Sequence, residues 1–298
     1  MILGHIRSRE LRIQRERVLA SLRRVDPEGM ELRRLRLRTS RRRRYSVPAP
    51  NHLWHIDGNH KLIRWKIVIH GGIDGYSRLV VYLKAATNNK AQTVLQSFLS
   101  AVDTYGVPCR VRSDKGGENV MVARFMIQTR GIKRHSHITG RSVHNQRIER
   151  LWRDVFDQVI DLFYTTFRRM EDEGWLNPDQ DVDLFALHWT YMPQIQRHLQ
   201  EFQSAWNSHS LRTEGNRTPL QLWSNHERDA SNQIDIDEVR EDLQGQPAEG
   251  VHVPQLDLPR GLTEEELETL PNPDVPYSDA LSVYMNTVLA VKQMLGEI

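Results

Sequence analysis

The spacing of apolar residues changes several times along this chain, and each change predicts an element. From residue 145 onward, Ile148, Leu151, Trp152, Val155 and Phe156 fall at i, i+3, i+4, i+7 and i+8. That is the buried stripe of an amphipathic helix, expected to run to about residue 169. Asn145, Glu149 and Arg153 repeat at i, i+4 and i+8 on another face of it. Upstream the period drops to two. Residues 52–58 predict a strand that ends on Asp57 with Gly58 after it, 65–73 a second strand and 78–84 a third. The turn residues Asp74-Gly75-Tyr76-Ser77 join the latter two into a hairpin. Residues 88–105 return to helical spacing until Gly106, and 108–114 form a short strand closing on Asp114 ahead of Gly116-Gly117. A helix over 118–129, an extended piece at 133–137 and a polar loop over 138–144 complete this stretch.

This alternation predicts an α/β fold, a mixed five-stranded sheet with flanking helices. Ligand sites in such sheets collect at strand ends, where both Asp57 and Asp114 are expected. Beyond an acidic connection at 171–183, a long helix is predicted over 184–208 with a kink at Pro193. A short helix over 217–223 follows, capped by Thr218 with Pro219 at its first position. At the other end, residues 6–11 and 14–25 have helical spacing and dense arginine. They are either a helix-turn-helix remnant or a solvated charged helix. The expected organisation is a basic helical arm (1–45), an α/β core (46–170), a helical extension of it (171–223) and an acidic tail (224–298). The tail is expected to be loosely structured, with only weak helices at 263–270 and 278–295.

Charge sharpens the division. Over the whole chain the formal net charge is only +3, but residues 1–45 carry 15 arginines and 5 acids, whereas 224–298 carry 4 basic and 16 acidic residues. A head this basic suggests a polyanionic partner. Within it, residues 33–44, including Arg41, Arg42, Arg43 and Arg44, would neutralise DNA phosphates and would also serve as a nuclear import signal. The single cysteine, Cys109, excludes an intramolecular disulfide and a zinc site built on cysteines. No secretory signal or membrane span is expected, which fits an intracellular, non-secreted protein.

The candidate chemistry lies in three carboxylates. Asp57, Asp114 and Glu149 are the residue types that hold a pair of Mg2+ or Mn2+ ions. Two such ions activate an attacking oxygen and stabilise a leaving one at phosphorus. Taken singly, each acid is as readily a turn residue or a surface charge. Asp74 is best left as a turn residue, and His52, His55 and His60 lack the spacing of a complete zinc set. Lys115, Arg141, Arg147, Arg150 and Arg153 flank the acids and would contact DNA phosphates, or pair with nearby acids such as Asp154, Asp157 and Glu118.

Four motifs bear on this choice: Trp54-His55-Ile56-Asp57, Ile73-Asp74-Gly75-Tyr76-Ser77-Arg78, the run from Arg112 to Asn119, and the run from Ser142 to Arg150. In this order they resemble the integrase catalytic core of retroviral integrases and DDE transposases. The resemblance covers about residues 51–223. Asp114 and Glu149 have 34 residues between them, close to the usual spacing of that family. The resemblance implies a ribonuclease H-like fold, a catalytic and metal-binding triad of Asp57, Asp114 and Glu149, two Mg2+ or Mn2+ ions, a DNA partner and a homo-oligomer. It implies DNA integration by cleavage and strand transfer. The chain departs from retroviral integrases in lacking their amino-terminal zinc module, and Gly140-Arg141-Ser142-Val143 stands where a proline-bearing loop is common. In outline it is similar to transposon-derived integrase-core proteins. A catalytically silent nucleic-acid-binding protein and a ribonuclease H-like nuclease remain as alternatives.

Overall fold

The alternating segments become β1 (Trp54–Asn59), β2 (Val68–Asp74), β3 (Val80–Ala86), β4 (Val111–Ser113) and β5 (His137–Thr139). A computed structural model describes residues 2–30, 47–131, 134–140, 145–224 and 251–297. The strands form one sheet in the order β3-β2-β1-β4-β5. β1 pairs antiparallel with β2, and β2 with β3, whereas β1–β4 and β4–β5 are parallel. The expected mixed five-stranded sheet is therefore present.

All five strands are shifted or trimmed relative to expectation, with β3, β4 and β5 at 80–86, 111–113 and 137–139 rather than 78–84, 108–114 and 133–137, and two of the differences have a clear structural reason. β1 continues past Asp57 through Gly58 to Asn59, so Asp57 is not its last residue. β2 starts at Val68, because Ile63–Trp65 form a 3-10 turn that ends with Lys66 in the left-handed region at φ 56°. Tertiary contacts override the strand pattern there. The Trp65 indole is fully buried, stacks edge-on against Tyr164 and Phe167, and donates to Glu171 Oε1 at 2.7 Å.

Helices cover both faces of the sheet. On one side lie α3 (Ala91–Tyr105) and α4 (Val120–Arg130), closing a core around Trp54, Ile56, Phe98, Val111 and Phe125. On the other side α5 (Gln146–Val155) passes through a π-helical turn (Phe156–Ile160) into α6 (Asp161–Asp172), and α7 (Asp181–Asn207) packs beside them. Their core includes Ile69, Ile73, Leu151, Phe163, Leu187 and Tyr191. The short helix α8 (Pro219–Ser224) starts as expected. Gln221 N donates to Thr218 Oγ1 at 3.1 Å and Thr218 N to Gln221 Oε1 at 2.9 Å, a reciprocal cap.

The long helix α7 also closes an open sheet edge. Its Asn207 side chain accepts from Val80 N (2.8 Å) and donates to Val80 O (3.0 Å). Gln196 does the same for Ala85 N and Leu83 O, each at 3.1 Å. These amides supply to β3 the hydrogen bonds that a sixth strand would make.

The terminal segments use the same helix. α1 (Ile2–Ser8) crosses the end of α7, where a side chain at Gly4 would meet the Ala205 carbonyl at 2.1 Å, so only glycine permits the approach. α2 (Arg15–Val25) follows it. In the tail the helices expected at 263–270 and 278–295 are present, and residues 251–297 are docked rather than loose. There α9 (Glu264–Thr269) and α10 (Ala280–Leu295) are ordered, and α10 packs along α7 with Tyr284 fully buried. Anchors from α7 hold the connecting chain, with Trp189 Nε1 donating to Pro271 O at 2.8 Å and Gln194 Nε2 to Val275 O at 2.6 Å. Apolar residues spaced along an acidic segment suffice to dock it once a partner helix exists. No helix among the described residues is long and apolar enough to cross a membrane.

Candidate active site

The parallel pairing of β1 with β4 sets the first two acids. Trp54 is opposite Val111 and His55 opposite Arg112. Continued by two residues, that register sets Asp57 beside Asp114 at the same end of adjacent strands. Asp114 follows β4 directly, and its Oδ1 accepts from Gly116 N and Asn119 Nδ2, each at 3.0 Å. Gly116 and Asn119 thus hold the aspartate in its turn. Asp57 Oδ2 accepts from the indole Nε1 of Trp152, one turn after Glu149 on α5, at 2.9 Å.

The third acid comes from α5, and one buried side chain fastens the start of that helix to β1. Asn145 Nδ2 donates to Ile56 O at 3.0 Å, and its Oδ1 lies 2.6 Å from His55 Nδ1. Because the amide nitrogen is committed to a carbonyl, its oxygen must accept, so His55 Nδ1 carries the proton. Burial, with Arg112 and Arg147 nearby, pushes the His55 pKa down to about 4, so the ring is neutral. The Asn145 backbone carbonyl meanwhile accepts from Ile148 N and Glu149 N. Asn145 therefore ties the strand of Asp57 to the helix of Glu149.

The three acids feel one another. Burial, then the charges of Asp114 and Glu149, push Asp57 up to about 7 against the opposing Trp152 hydrogen bond. Burial and Asp114 likewise raise Glu149, which is exposed and stands at the open side of the site. Clustered carboxylates without a cation oppose their own ionisation. Among the described residues no group of three His, Cys, Asp or Glu side chains is assembled closely enough to hold a metal ion. The three acids thus influence one another's charge without closing into a metal-sized cluster. Their donor chemistry, three carboxylates with one on a free face, fits a hard divalent cation.

Gly71 makes room for the Trp152 contact. It is register-paired with Asp57, and a side-chain carbon there would stand 2.6 Å from Trp152 Cη2 and 3.0 Å from Leu83 Cδ2. Gly71→Ala is expected to destabilise the fold by about 1–3 kcal/mol through overpacking, and to move the indole off Asp57. Urea unfolding followed by tryptophan emission checks this, and unchanged stability and emission would contradict it.

The remaining candidates divide. Lys115, Arg150 and Arg153 are exposed beside the acids and Arg147 is half-buried, whereas Arg141 and Arg41–Arg44 lie outside the described residues. Arg78 belongs to the same basic neighbourhood, since Arg147 and Arg150 join burial in lowering its pKa while Glu214 pairs with it at 2.7 Å. Asp74 is the expected turn residue, buried and accepting from Asn51 N, Tyr76 N, Ser77 N and Ser77 Oγ. Sequence reasoning assigned no site role to Gly71, to Arg78 or to the Trp152 N–H. A visible signal for Gly71 was the Gly71-Gly72 pair inside an apolar strand, which marks a close approach.

Residues 44–234 match the family model described as Integrase core domain. The chain belongs to this integrase core family. Among solved structures it is similar to the HTLV-2 integrase catalytic core domain in complex with magnesium. For the trimeric form, sequence identity is 17% over 59% of this chain and 99% of that one, with a TM-score of 0.39. For the dimeric form, identity is 16% over 60% and 99%, with a TM-score of 0.38. A chain of the simian T-cell lymphotropic virus intasome in complex with PP2A regulatory subunit B56 gamma matches at 18% identity over 64% of this chain, with a TM-score of 0.41, and the match spans 59% of that chain. No curated protein matches. The integrase core so identified contains the whole sheet, all three candidate acids and α7.

Proposed function

We propose that this integrase core protein is a divalent-metal-dependent polynucleotidyl transferase, with DNA as substrate and Asp57, Asp114 and Glu149 as its metal-binding triad. The observation that supports the reading is that strand register and the Asn145 tether bring the segments bearing the three acids to one end of the sheet, where Asp114 and Glu149 both act on Asp57. When bound, Mg2+ or Mn2+ supplies activation of the attacking oxygen and charge stabilisation at phosphorus. The chain's own groups orient and neutralise. Trp152 and Asn119 fix the rotamers of Asp57 and Asp114 through the bonds described. Glu149, on the exposed face of α5, completes the set from the open side. Arg150, Arg153 and Lys115 are disposed to neutralise the phosphodiester backbone of the incoming strand, with Arg141 and the arginine tract as further candidates.

The expected product is a strand cut at the DNA end and then joined through its 3′-hydroxyl to a target strand, by a multimer of the chain. A strand-cleavage and joining assay with labelled DNA ends tests it. Activity should require Mg2+ or Mn2+ and vanish in Asp114→Asn and Glu149→Gln, while salt-sensitive DNA binding persists. Full joining activity in either variant would overturn the triad. DNA binding without metal-dependent chemistry in the unaltered protein would instead support a silent binding role. Hydrolysis of RNA–DNA hybrids without joining would support a nuclease.

A further inference from the structure

The opposite face of β1 carries a second polar pocket that the triad does not use. Side chains alternate across a strand, so Gly58 faces away from Asp57 toward α3 and α4. Gly58 is register-paired with His70. A carbon built on Gly58 would stand 3.6 Å from His60 Nε2 and 3.7 Å from His70 Nδ1, so both imidazoles border one small space. Glu118 reaches the same region from the turn after β4, and Asn89 from the segment ahead of α3. The Glu118 carboxyl feels the charges of Asp114 and His60, and it takes hydrogen bonds from its own backbone N–H and from the Asn89 amide.

Three atoms in this pocket are buried without a hydrogen-bond partner: His60 Nε2, Glu118 Oε2 and Asn89 Oδ1. Glu118 is 5% and Asn89 8% exposed. One Asn89 Nδ2 hydrogen goes to Val251 O at 3.1 Å, and Glu118 Oε1 receives a long contact from Asn119 Nδ2 at 3.4 Å, so the satisfied atoms of both groups leave Glu118 Oε2 and Asn89 Oδ1 over. A buried carboxylate oxygen and a buried amide oxygen left in this state are costly, and both are acceptors that a cation would satisfy together.

We propose that His60, Glu118 and Asn89 form a second cation site, separate from the triad, which takes one transition-metal ion of the Zn2+ or Mn2+ class. One imidazole nitrogen with a carboxylate and an amide oxygen is the mixed donor set such ions accept, with water for the remaining positions. The set includes only two histidine or carboxylate ligands, and the Asn89 oxygen is the third protein ligand. Glu118 precedes Asn119, which holds Asp114, so a cation here would brace the turn of the second acid against β1. The site goes beyond the polynucleotidyl-transfer reading and does not rest on it.

The test uses the full chain with the triad neutralised by Asp57→Asn, Asp114→Asn and Glu149→Gln together. Titration with Zn2+ by calorimetry, and with Co2+ by visible absorption, should show one site. The Co2+ spectrum should lack the thiolate charge-transfer band that binding at Cys109 would give. Adding His60→Ala or Glu118→Gln should weaken binding by about tenfold or more and remove the rise in melting temperature that Zn2+ gives the parent. Glu118→Gln keeps the side-chain shape, so it remains informative if the alanine variant folds poorly. Uptake of no cation by the triad-neutralised chain, as a buried structural water would produce, overturns the proposal. So does binding that neither added substitution changes.

Discussion

Asp57→Asn should eliminate strand joining and at the same time make the metal-free protein more stable. The activity loss is expected to be on the order of 10²–10³-fold or greater, the scale for removing a group that stabilises charge in the transition state. The stability gain follows from burial. In the folded chain the Asp57 pKa rises from 3.8 to about 7, chiefly by desolvation and then by Asp114 and Glu149. The folded state therefore holds its proton where the unfolded chain has released it, and stability falls as pH rises from about 4 through 7. Asparagine is exempt from that loss. A shift of ~3 units has a ceiling of about 4 kcal/mol, and solvent access to this half-buried group reduces the expected gain to about 1–2 kcal/mol. In thermal unfolding with a chelator present, the variant should match the unaltered protein near pH 4 and melt about 2–6 °C higher at pH 8. A variant that melts lower at pH 8 would show that Asp57 is not held against its charge. Mg2+ should reverse the ranking, because only the carboxylate gains from it.

Asn145→Ala is expected to have the second largest effect, and to act on both fold and chemistry. It leaves Ile56 O and His55 Nδ1 without the partners they now share, inside the protein. Each orphaned group costs about 1–3 kcal/mol, so a total of about 2–4 kcal/mol is expected in urea unfolding. The helix start survives, since Ile148 N and Glu149 N bond to the backbone carbonyl of residue 145. What is lost is the tether between α5 and β1. Displacement of Glu149 by about 1 Å would lower the rate of the chemical step by about 10²-fold, with DNA affinity little changed because the arginines of α5 remain. A variant that loses stability but keeps the single-turnover rate would show that the tether is structural only.

The parts of this site that were legible in the sequence are those written in local periodicity. Glu149 stands off an apolar stripe that allows only one helix face to be buried, and the stripe is where it was expected, from Ile148 to Val155. Asp114 closes a short strand bounded by glycines, and that boundary survived within a residue. What could not be read was the cross-chain pairing. The Trp152 indole counts as apolar in a periodicity argument, yet its N–H is the hydrogen-bond partner of Asp57. Asn145 looked like one polar residue on a solvated face, and it is buried because residues 55 and 56, some 90 positions away, need what its amide offers. Strand β2 was expected to begin at Trp65 because local alternation cannot foresee the Glu171 carboxylate that draws the indole into a turn. The two helices of the acidic tail were expected, but their docking was not, for a related reason. Their apolar residues are too sparse to make a core alone, and they become a packing face only against α7.

The amides that α7 lends to β3 also bear on how the chain is made. Residues 80–86 leave the ribosome more than a hundred positions before Gln196 and Asn207 emerge to cover them. Throughout that interval the outer rim of the nascent hairpin is bare backbone of the kind that pairs with a neighbouring chain. Only when the polypeptide has been extended to Asn207 does it carry its own stopper, so a message truncated before that codon would yield a sticky product rather than a smaller working one.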